Sequence, residues 1–236
     1  AKANNVPYWG NSFGNAYLQA VQWINSNVEE NAKLALVQGI STNIPKITLR
    51  EDINFSNSFW SGIERKGEYL IELTHDDPVN VYPYVWGYVE NFLIPVYEVK
   101  VDDVAIAKVW KNDKGNSRQE FKGDVVKVQK NEVNIISEEN VIEVFLSKRE
   151  KIIRIDISYR NKTVCSEIKG SVEVFVNDSW IKQGDPIPSL QMNNSYRKDG
   201  FSYYFLGDET DTVRFVFDNN NFCVLDYYDI DVFSLK

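Results

Sequence analysis

The fold of the second half of the chain is decided by the stretch Ile153-Arg154-Ile155-Asp156-Ile157-Ser158-Tyr159. Apolar residues stand at every second position, which is the period of a strand with one buried side and one solvent-facing side. The same alternation returns in the runs 172–176 and 213–217, and polar turn residues such as Asn219-Asn220-Asn221 separate the runs. Roughly eight such strands predict an antiparallel β-sandwich or jelly roll.

The part of the chain before Trp110 has a mixed pattern. Two short apolar runs, Lys33–Gln38 and Glu68–Thr74, predict buried strands of a small parallel sheet. Two alternating runs around Asp102-Asp103 predict a hairpin over Val96–Trp110. A helix is predicted after an N-cap at Ser12, with one apolar face made of Phe13, Tyr17, Ala20, Val21, Ile24 and Val28.

A polar segment, Lys111–Ser117, lies between these two parts and has the composition of a domain boundary. We therefore predict an α+β two-domain chain. Residues 1–112 form a small α/β module and residues 118–236 form the all-β sandwich.

Charge and composition exclude several classes of function. The 236 residues carry 26 Lys and Arg against 34 Asp and Glu, a net charge of -8, which repels phosphate backbones, so no nucleic-acid partner is expected. The apolar runs are shorter than the roughly 18 residues that a membrane helix needs. One His and two Cys cannot build a common zinc site unless carboxylates supply the other ligands.

The sequence lacks the usual signatures of catalysis. It contains no Gly-rich phosphate loop and no Gly-x-Ser-x-Gly motif, and its only histidine, His75, stands in a loop beside Asp76-Asp77. We predict that this chain by itself is not catalytic. A glycosidase acid pair remains the alternative, because 34 acidic residues form many pairs whose distances a sequence does not give.

No cofactor is expected, and a structural calcium ion is the alternative. Two acidic clusters offer oxygen ligands: the first is Asp208, Glu209 and Asp211, and the second is Asp226, Asp229 and Asp231. Neither cluster has the spacing of a dedicated calcium loop. The two cysteines, Cys165 and Cys223, both fall in the β part. They form a disulfide if the protein faces an oxidising space, and are small core residues otherwise.

Aromatic residues in loop-like stretches of the β part are the remaining lead. Trp180 is the predicted stacking platform for a sugar, with Tyr196 and Tyr203 as neighbours and Asn177 and Asp178 as polar contacts. A sugar has an apolar C–H face and a rim of hydroxyls, so a ring with amides and acids beside it suits it. Packing in the core or at a sheet edge is the alternative for each ring.

Two motifs in the first part carry a family resemblance. They are Tyr8-Trp9-Gly10-Asn11-Ser12, followed by the run 20–27, and Pro95–Trp110. Both resemble the soluble region beyond the last membrane helix of bacterial membrane glycosyltransferases related to dolichyl-phosphate-mannose protein mannosyltransferases. Asp103 and Ala105 depart from the Asp-Gly-Val-Pro-Ile pattern of that family. The second part resembles galactose-binding-like jelly rolls in outline, through its strand count and the Trp180 loop.

The resemblance implies an extracytoplasmic region at the cell membrane, whose partners are a glycan or glycosyl acceptor and the membrane-embedded portion of the same polypeptide. It also implies that the family's catalytic acid lies in that membrane portion, so no catalytic residue is carried over to this chain. The predicted role is docking of an acceptor or cell-surface glycan. A secreted carbohydrate-binding or adhesion protein is the alternative.

Overall fold

The computed structural model describes residues 15–37, 48–73, 83–138, 140–159, 170–182, 200–205, 209–217 and 227–236. These residues are mostly β-strand, with two α-helices among them. The chain divides into two compact units, Ala1–Lys122 and Gly123–Lys236. Among the described residues, neither helix is long and apolar enough to cross a membrane.

The elements of the first unit are α1 (Asn15–Asn27), β1 (Lys33–Leu36), β2 (Asn54–Phe55), β3 (Tyr69–Leu73), α2 (Pro83–Phe92), β4 (Pro95–Val101) and β5 (Val104–Lys111). The elements of the second unit are β6 (Val125–Lys127), β7 (Val133–Glu138), β8 (Val141–Tyr159), β9 (Gly170–Val176), β10 (Ser179–Lys182), β11 (Gly200–Tyr204), β12 (Glu209–Phe217) and β13 (Tyr227–Leu235).

A five-stranded mixed sheet forms the centre of the first unit, in the order β2-β1-β3-β5-β4. Strand β1 runs parallel to β2 and β3, whereas β5 runs antiparallel to β3 and β4. The predicted parallel pair of buried strands is therefore confirmed, and each strand is two residues shorter than the apolar run that predicted it.

Helix α1 covers one face of this sheet. It buries Tyr17, Ala20, Val21 and Ile24, so the predicted helical face is confirmed for these residues. Strand β3 turns Tyr69, Ile71 and Leu73 towards the same cluster. The predicted N-cap Ser12 lies outside the described residues.

Aromatic rings cover the other face of the sheet. Tyr88 of α2 lies 5.1 Å from Trp60 and 5.0 Å from Phe92, and Phe92 stacks on Phe121 at 4.2 Å, measured between ring centroids. Because both faces are covered, all five residues of β3 are buried.

The hairpin of β4 and β5 is confirmed, with Asp102 and Asp103 at its turn. Their φ angles are 50° and 60°, which is the left-handed pair of a two-residue type I′ turn. Asp103 therefore adopts, without a glycine, the conformation that the resembled family's glycine would favour.

The segment 111–117 differs from the exposed connection that its polar composition suggested. Asn112 and Ser117 are fully buried, and the segment belongs to the first compact unit. The Asn112 N–H donates to the Glu68 carbonyl at 2.9 Å, and its own carbonyl accepts from the Gly67 N–H at 2.9 Å. The polar side chains serve a buried hydrogen-bond network. The division into 1–112 and 118–236 stays a prediction.

The second unit is organised by the long strand β8, which belongs to two sheets in turn. Its first half pairs with β12 and β7, and its second half pairs with β13 and β11. We name the strands β10-β9-β12-β8-β7 the front sheet and the strands β11-β8-β13-β6 the back sheet.

The front and back sheets pack face to face. The ring of Tyr203 on β11 lies 6.0 Å from that of Phe215 on β12, measured between centroids, so residues of both sheets share one core. The predicted alternation is confirmed at its buried positions, namely Ile153, Ile155, Ile157, Val172, Val174, Val213, Phe215 and Phe217. On the opposite side of β8, which the pattern assigned to solvent, Asp156 is buried as well. These contacts define a β-sandwich, whereas its jelly-roll, galactose-binding-like character stays a prediction.

Candidate functional site

The hairpin of β9 and β10 carries three of the predicted site residues. Asn177 and Asp178 form its two-residue turn, with φ angles of 50° and 60°, and their side chains are exposed. Trp180 follows on β10, directly opposite Phe175. The structure thus places Asn177, Asp178 and Trp180 within four residues on one hairpin.

The Trp180 side chain is half-buried and has two neighbours. Its ring lies edge-to-face with that of Phe175, at a centroid distance of 5.2 Å. The guanidinium carbon of Arg214 lies 4.0 Å from the ring centroid, which is a cation–π contact. Since the guanidinium covers one ring face, a sugar that stacks on Trp180 must use the other face or displace Arg214.

Arg214 lies in a row of charged residues that crosses the front sheet. Strand register places it opposite Glu173 on one side and Glu143 on the other, and Lys182 lies beyond Glu173. Because the next residues, such as Val213, point into the core, this charged row faces outwards. The Arg214 Nε donates to the Glu173 carboxylate, with side-chain exposures of 30% and 20%.

A groove of about 320 Å³ lies on the same outer face, beside Arg214. Its lining combines apolar groups, two carboxylates, an amide and the guanidinium, contributed by Ile136, Glu138, Asn140, Val141, Glu143, Arg214 and Val216. The Asn140 Nδ2 donates to the Phe217 carbonyl at 2.7 Å, which fixes the amide. We call the groove together with Arg214 and Trp180 the front-face site.

The front-face site offers recognition groups. Carboxylates and an amide are hydrogen-bond partners for hydroxyls or amines, and the aliphatic groups suit an apolar ligand face. Sequence reasoning found Trp180 but missed Arg214 and the groove. The signal for Arg214 was its place as an outward residue in the alternating run 213–217; its contact with Trp180 joins strands that are far apart in sequence.

Tyr203 has a core position. It is 9% exposed, and its ring lies 4.9 Å from that of Phe205 and 6.0 Å from that of Phe215. Burial raises the pKa of its phenol, so the hydroxyl stays protonated. This packing accounts for the ring without a ligand. The predicted neighbour Tyr196 lies outside the described residues, as do Cys165 and Cys223.

The predicted calcium ligands of the second cluster are engaged by lysines. Asp229 and Asp231 both pair with Lys130, and Lys127 Nζ lies 2.7 Å from Asp231. Burial opposes ionisation of Asp231, but hydrogen bonds from Lys127 and Lys130 lower its pKa. Within the described ranges, no group of three or more His, Cys, Asp or Glu side chains is arranged to hold a metal ion. Asp208 and Asp226 lie outside those ranges.

A buried carboxyl group in the first unit, next to a partly exposed one, was not anticipated from the sequence. Glu72 of β3 is fully buried, and the Trp110 Nε1 donates to it at 2.9 Å. Burial and the charge of Glu90 raise the pKa of Glu72 to about 8, although Lys108 opposes the shift. Lys108 itself forms an ion pair with Glu90 of α2. The sequence feature that indicates this buried carboxyl is the single Glu inside the apolar run Tyr69–Leu73.

Comparison with known proteins gives distant structural likenesses. No protein-family model matches the chain, and no curated protein matches it. A truncated AlyQ with CBM32 and alginate lyase domains is similar with a TM-score of 0.34 and 12% identity, over 48% of this chain and 34% of that chain. A putative alpha-L-fucosidase from Bacteroides thetaiotaomicron is similar with a TM-score of 0.33 and 14% identity, over 48% of this chain and 22% of that chain.

The C-terminal domain of a chitobiase from Bacteroides fragilis gives a TM-score of 0.33 and 13% identity, over 45% of this chain and 96% of that domain. The chain spans about a third of the length of the AlyQ structure and about a fifth of the length of the fucosidase. Each of these TM-scores is below 0.5, a level at which a structural likeness carries no argument about function.

Proposed function

We propose that this chain is a non-catalytic glycan-docking region whose sugar-binding surface is the front-face site. The observation that carries the proposal is the position of Arg214, which borders both the Trp180 ring and the groove. An aromatic ring and a polar groove therefore form one continuous surface on the outer side of the front sheet.

The chemistry of a sugar matches this surface. The C–H face of a pyranose ring packs on an aromatic face, and its hydroxyls need fixed hydrogen-bond partners beside that face. Asn140 is held by the Phe217 carbonyl and Arg214 by Glu173, so both are oriented before a ligand arrives. Asn177 and Asp178 at the turn of the β9–β10 hairpin add polar contacts at the Trp180 end.

We further propose that this region belongs to a polytopic membrane glycosyltransferase and lies on the extracytoplasmic side. The support is the pair of motifs 8–12 and 95–110, which resemble that family. A secreted carbohydrate-binding or adhesion protein is the second candidate, favoured by the exposed ligand face of the sandwich. The coding sequence upstream discriminates them: many apolar segments of about 20 residues support the transferase, and a single signal peptide supports the secreted protein.

Substitution of Trp180 by Ala is expected to weaken binding of cell-wall or lipid-linked oligosaccharide fragments by about five- to tenfold. The physical reason is that a stacking platform contributes on the order of 1 kcal/mol beyond burial. One platform gives millimolar affinity, so titration by NMR of the labelled full chain is the suitable measurement.

The matched control for this titration is Ile181→Ala. Ile181 is the next residue on β10 and is 43% exposed, but strand alternation turns its side chain to the opposite side from Trp180. We expect the control to bind like the wild type. If an oligosaccharide binds wild type and Trp180→Ala equally, Trp180 is structural; if none binds at tens of millimolar, the docking function is wrong.

A further inference from the structure

The charges of the front-face groove are unbalanced. Glu138 and Glu143 contribute two carboxylates, and within the described part of the chain neither has an ion-pair partner. Among the described residues of the lining, Arg214 is the one cation, and its Nε is already bonded to Glu173, which lies outside the lining. The groove therefore presents negative potential to a ligand, inside a chain of net charge -8.

The surroundings of the Glu143 carboxylate strengthen that potential, whereas Glu138 is exposed. Glu143 is half-buried on β8, between Arg214 on one neighbouring strand and Ile136 on the other. Apolar side chains of Ile136, Val141 and Val216 reduce the local exposure to water, so a charge that enters the groove is screened less than at an open surface.

We infer that the groove selects glycans with free amino groups, that is, unacetylated amino sugars, over N-acetylated and uronate-bearing glycans; this inference rests on the proposed glycan-docking function. A sugar ammonium donates charge-assisted hydrogen bonds to the carboxylates of Glu138 and Glu143, while its ring carbons contact the aliphatic lining. An N-acetyl group removes the charge, and a uronate adds a repelled carboxylate.

Three probes of equal length test the inference: a β-1,4-linked glucosamine oligomer, its fully N-acetylated counterpart and a galacturonate oligomer. The titration uses the full chain, at a pH below the pKa of the sugar amine, so that the free-amine probe carries its charge. We expect the free-amine oligomer to bind about tenfold more tightly than the N-acetylated one, because one charge-assisted hydrogen bond has roughly that effect. The uronate oligomer is expected to bind most weakly, and the preference is expected to fade as salt is raised.

The variants are Glu143→Gln and Glu138→Gln/Glu143→Gln, which keep side-chain size while removing charge. Glu209→Gln, on β12 but outside the groove lining, is the control for the same change in net charge. We expect both groove variants to lose the preference and the control to keep it.

Equal binding of the free-amine and N-acetylated oligomers to the wild type overturns the inference and leaves the docking function intact. A preference that survives in the double variant overturns the assignment to this groove. Absence of binding by all three probes overturns the inference, and the titration with cell-wall or lipid-linked oligosaccharide fragments then decides the docking function separately.

Discussion

At pH values above neutral, replacing Glu72 with Gln is expected to raise the melting temperature of the first unit. The substitution is also expected to flatten the dependence of that melting temperature on pH. At about pH 9 the variant should be more stable than the wild type by on the order of 3 kcal/mol. Near pH 5 the two proteins should unfold at similar temperatures.

The reason is the position of the Glu72 carboxyl beneath α2. It is fully buried, close to the charge of Glu90, and these two effects raise its pKa to about 8 from the ordinary 4.5. The folded chain therefore binds the proton more tightly than the unfolded chain. The resulting stabilisation is fully present below about pH 4.5 and is lost as the pH rises through about 8. Glutamine keeps the acceptor for Trp110 Nε1 and carries no charge to desolvate.

Intrinsic tryptophan fluorescence during thermal unfolding is the measurement, at a series of pH values from about 5 to 9. It reports mainly on the first unit, because Trp180 is the only tryptophan after Trp110. Glu98→Gln is the control, since Glu98 is a surface carboxylate of β4 that pairs with Lys100 at 2.8 Å. A wild-type slope retained in Glu72→Gln would show that other groups cause the pH dependence.

Much of the fold could be predicted because short-range patterns decide it. The period of two in 153–159 and 213–217 identifies strands with one buried side, and the left-handed turn at Asp102-Asp103 needs only its own two residues. The face of α1 follows from the spacing of Tyr17, Val21 and Ile24 in the same way.

The rest depends on contacts between distant residues, which no local pattern encodes. Strand β8 belongs to both sheets, because its 19 residues pair with β12 in one part and with β13 in the other. The sequence of this segment indicates only ordinary strands in succession. Trp180 was a candidate from its type and its loop, but its neighbour Arg214 is 34 positions away and meets it only through the pairing of β9 with β10 and β12. Polar composition at Asn112 indicated a loop, because burial of an amide becomes favourable only when its partners are assembled.

Those partners make Asn112→Ala the second substitution with a large expected effect. The Asn112 Nδ2 donates to the Glu68 carboxylate and to the Gly62 carbonyl, each at 2.8 Å, and its Oδ1 accepts from the Tyr88 hydroxyl at 3.0 Å. The side chain is fully buried. Alanine leaves the Tyr88 hydroxyl and the Gly62 carbonyl without these partners, so we expect a loss of about 3–5 kcal/mol in the free energy of unfolding of the first unit.

Two further variants separate this hydrogen-bonding role from simple loss of volume or of an asparagine. Asn112→Asp keeps the size but turns an oxygen towards Glu68 where an amide donated, so it should destabilise at least as much as alanine. Asn116→Ala removes only the amide contact with Asp113 at 2.8 Å in the partly buried turn, and should cost less than about 1 kcal/mol. Urea denaturation followed by tryptophan fluorescence measures all three. If Asn112→Ala unfolds at the same urea concentration as Asn116→Ala, the segment 111–117 is a loose connection after all, and the buried network contributes nothing to the stability of the first unit.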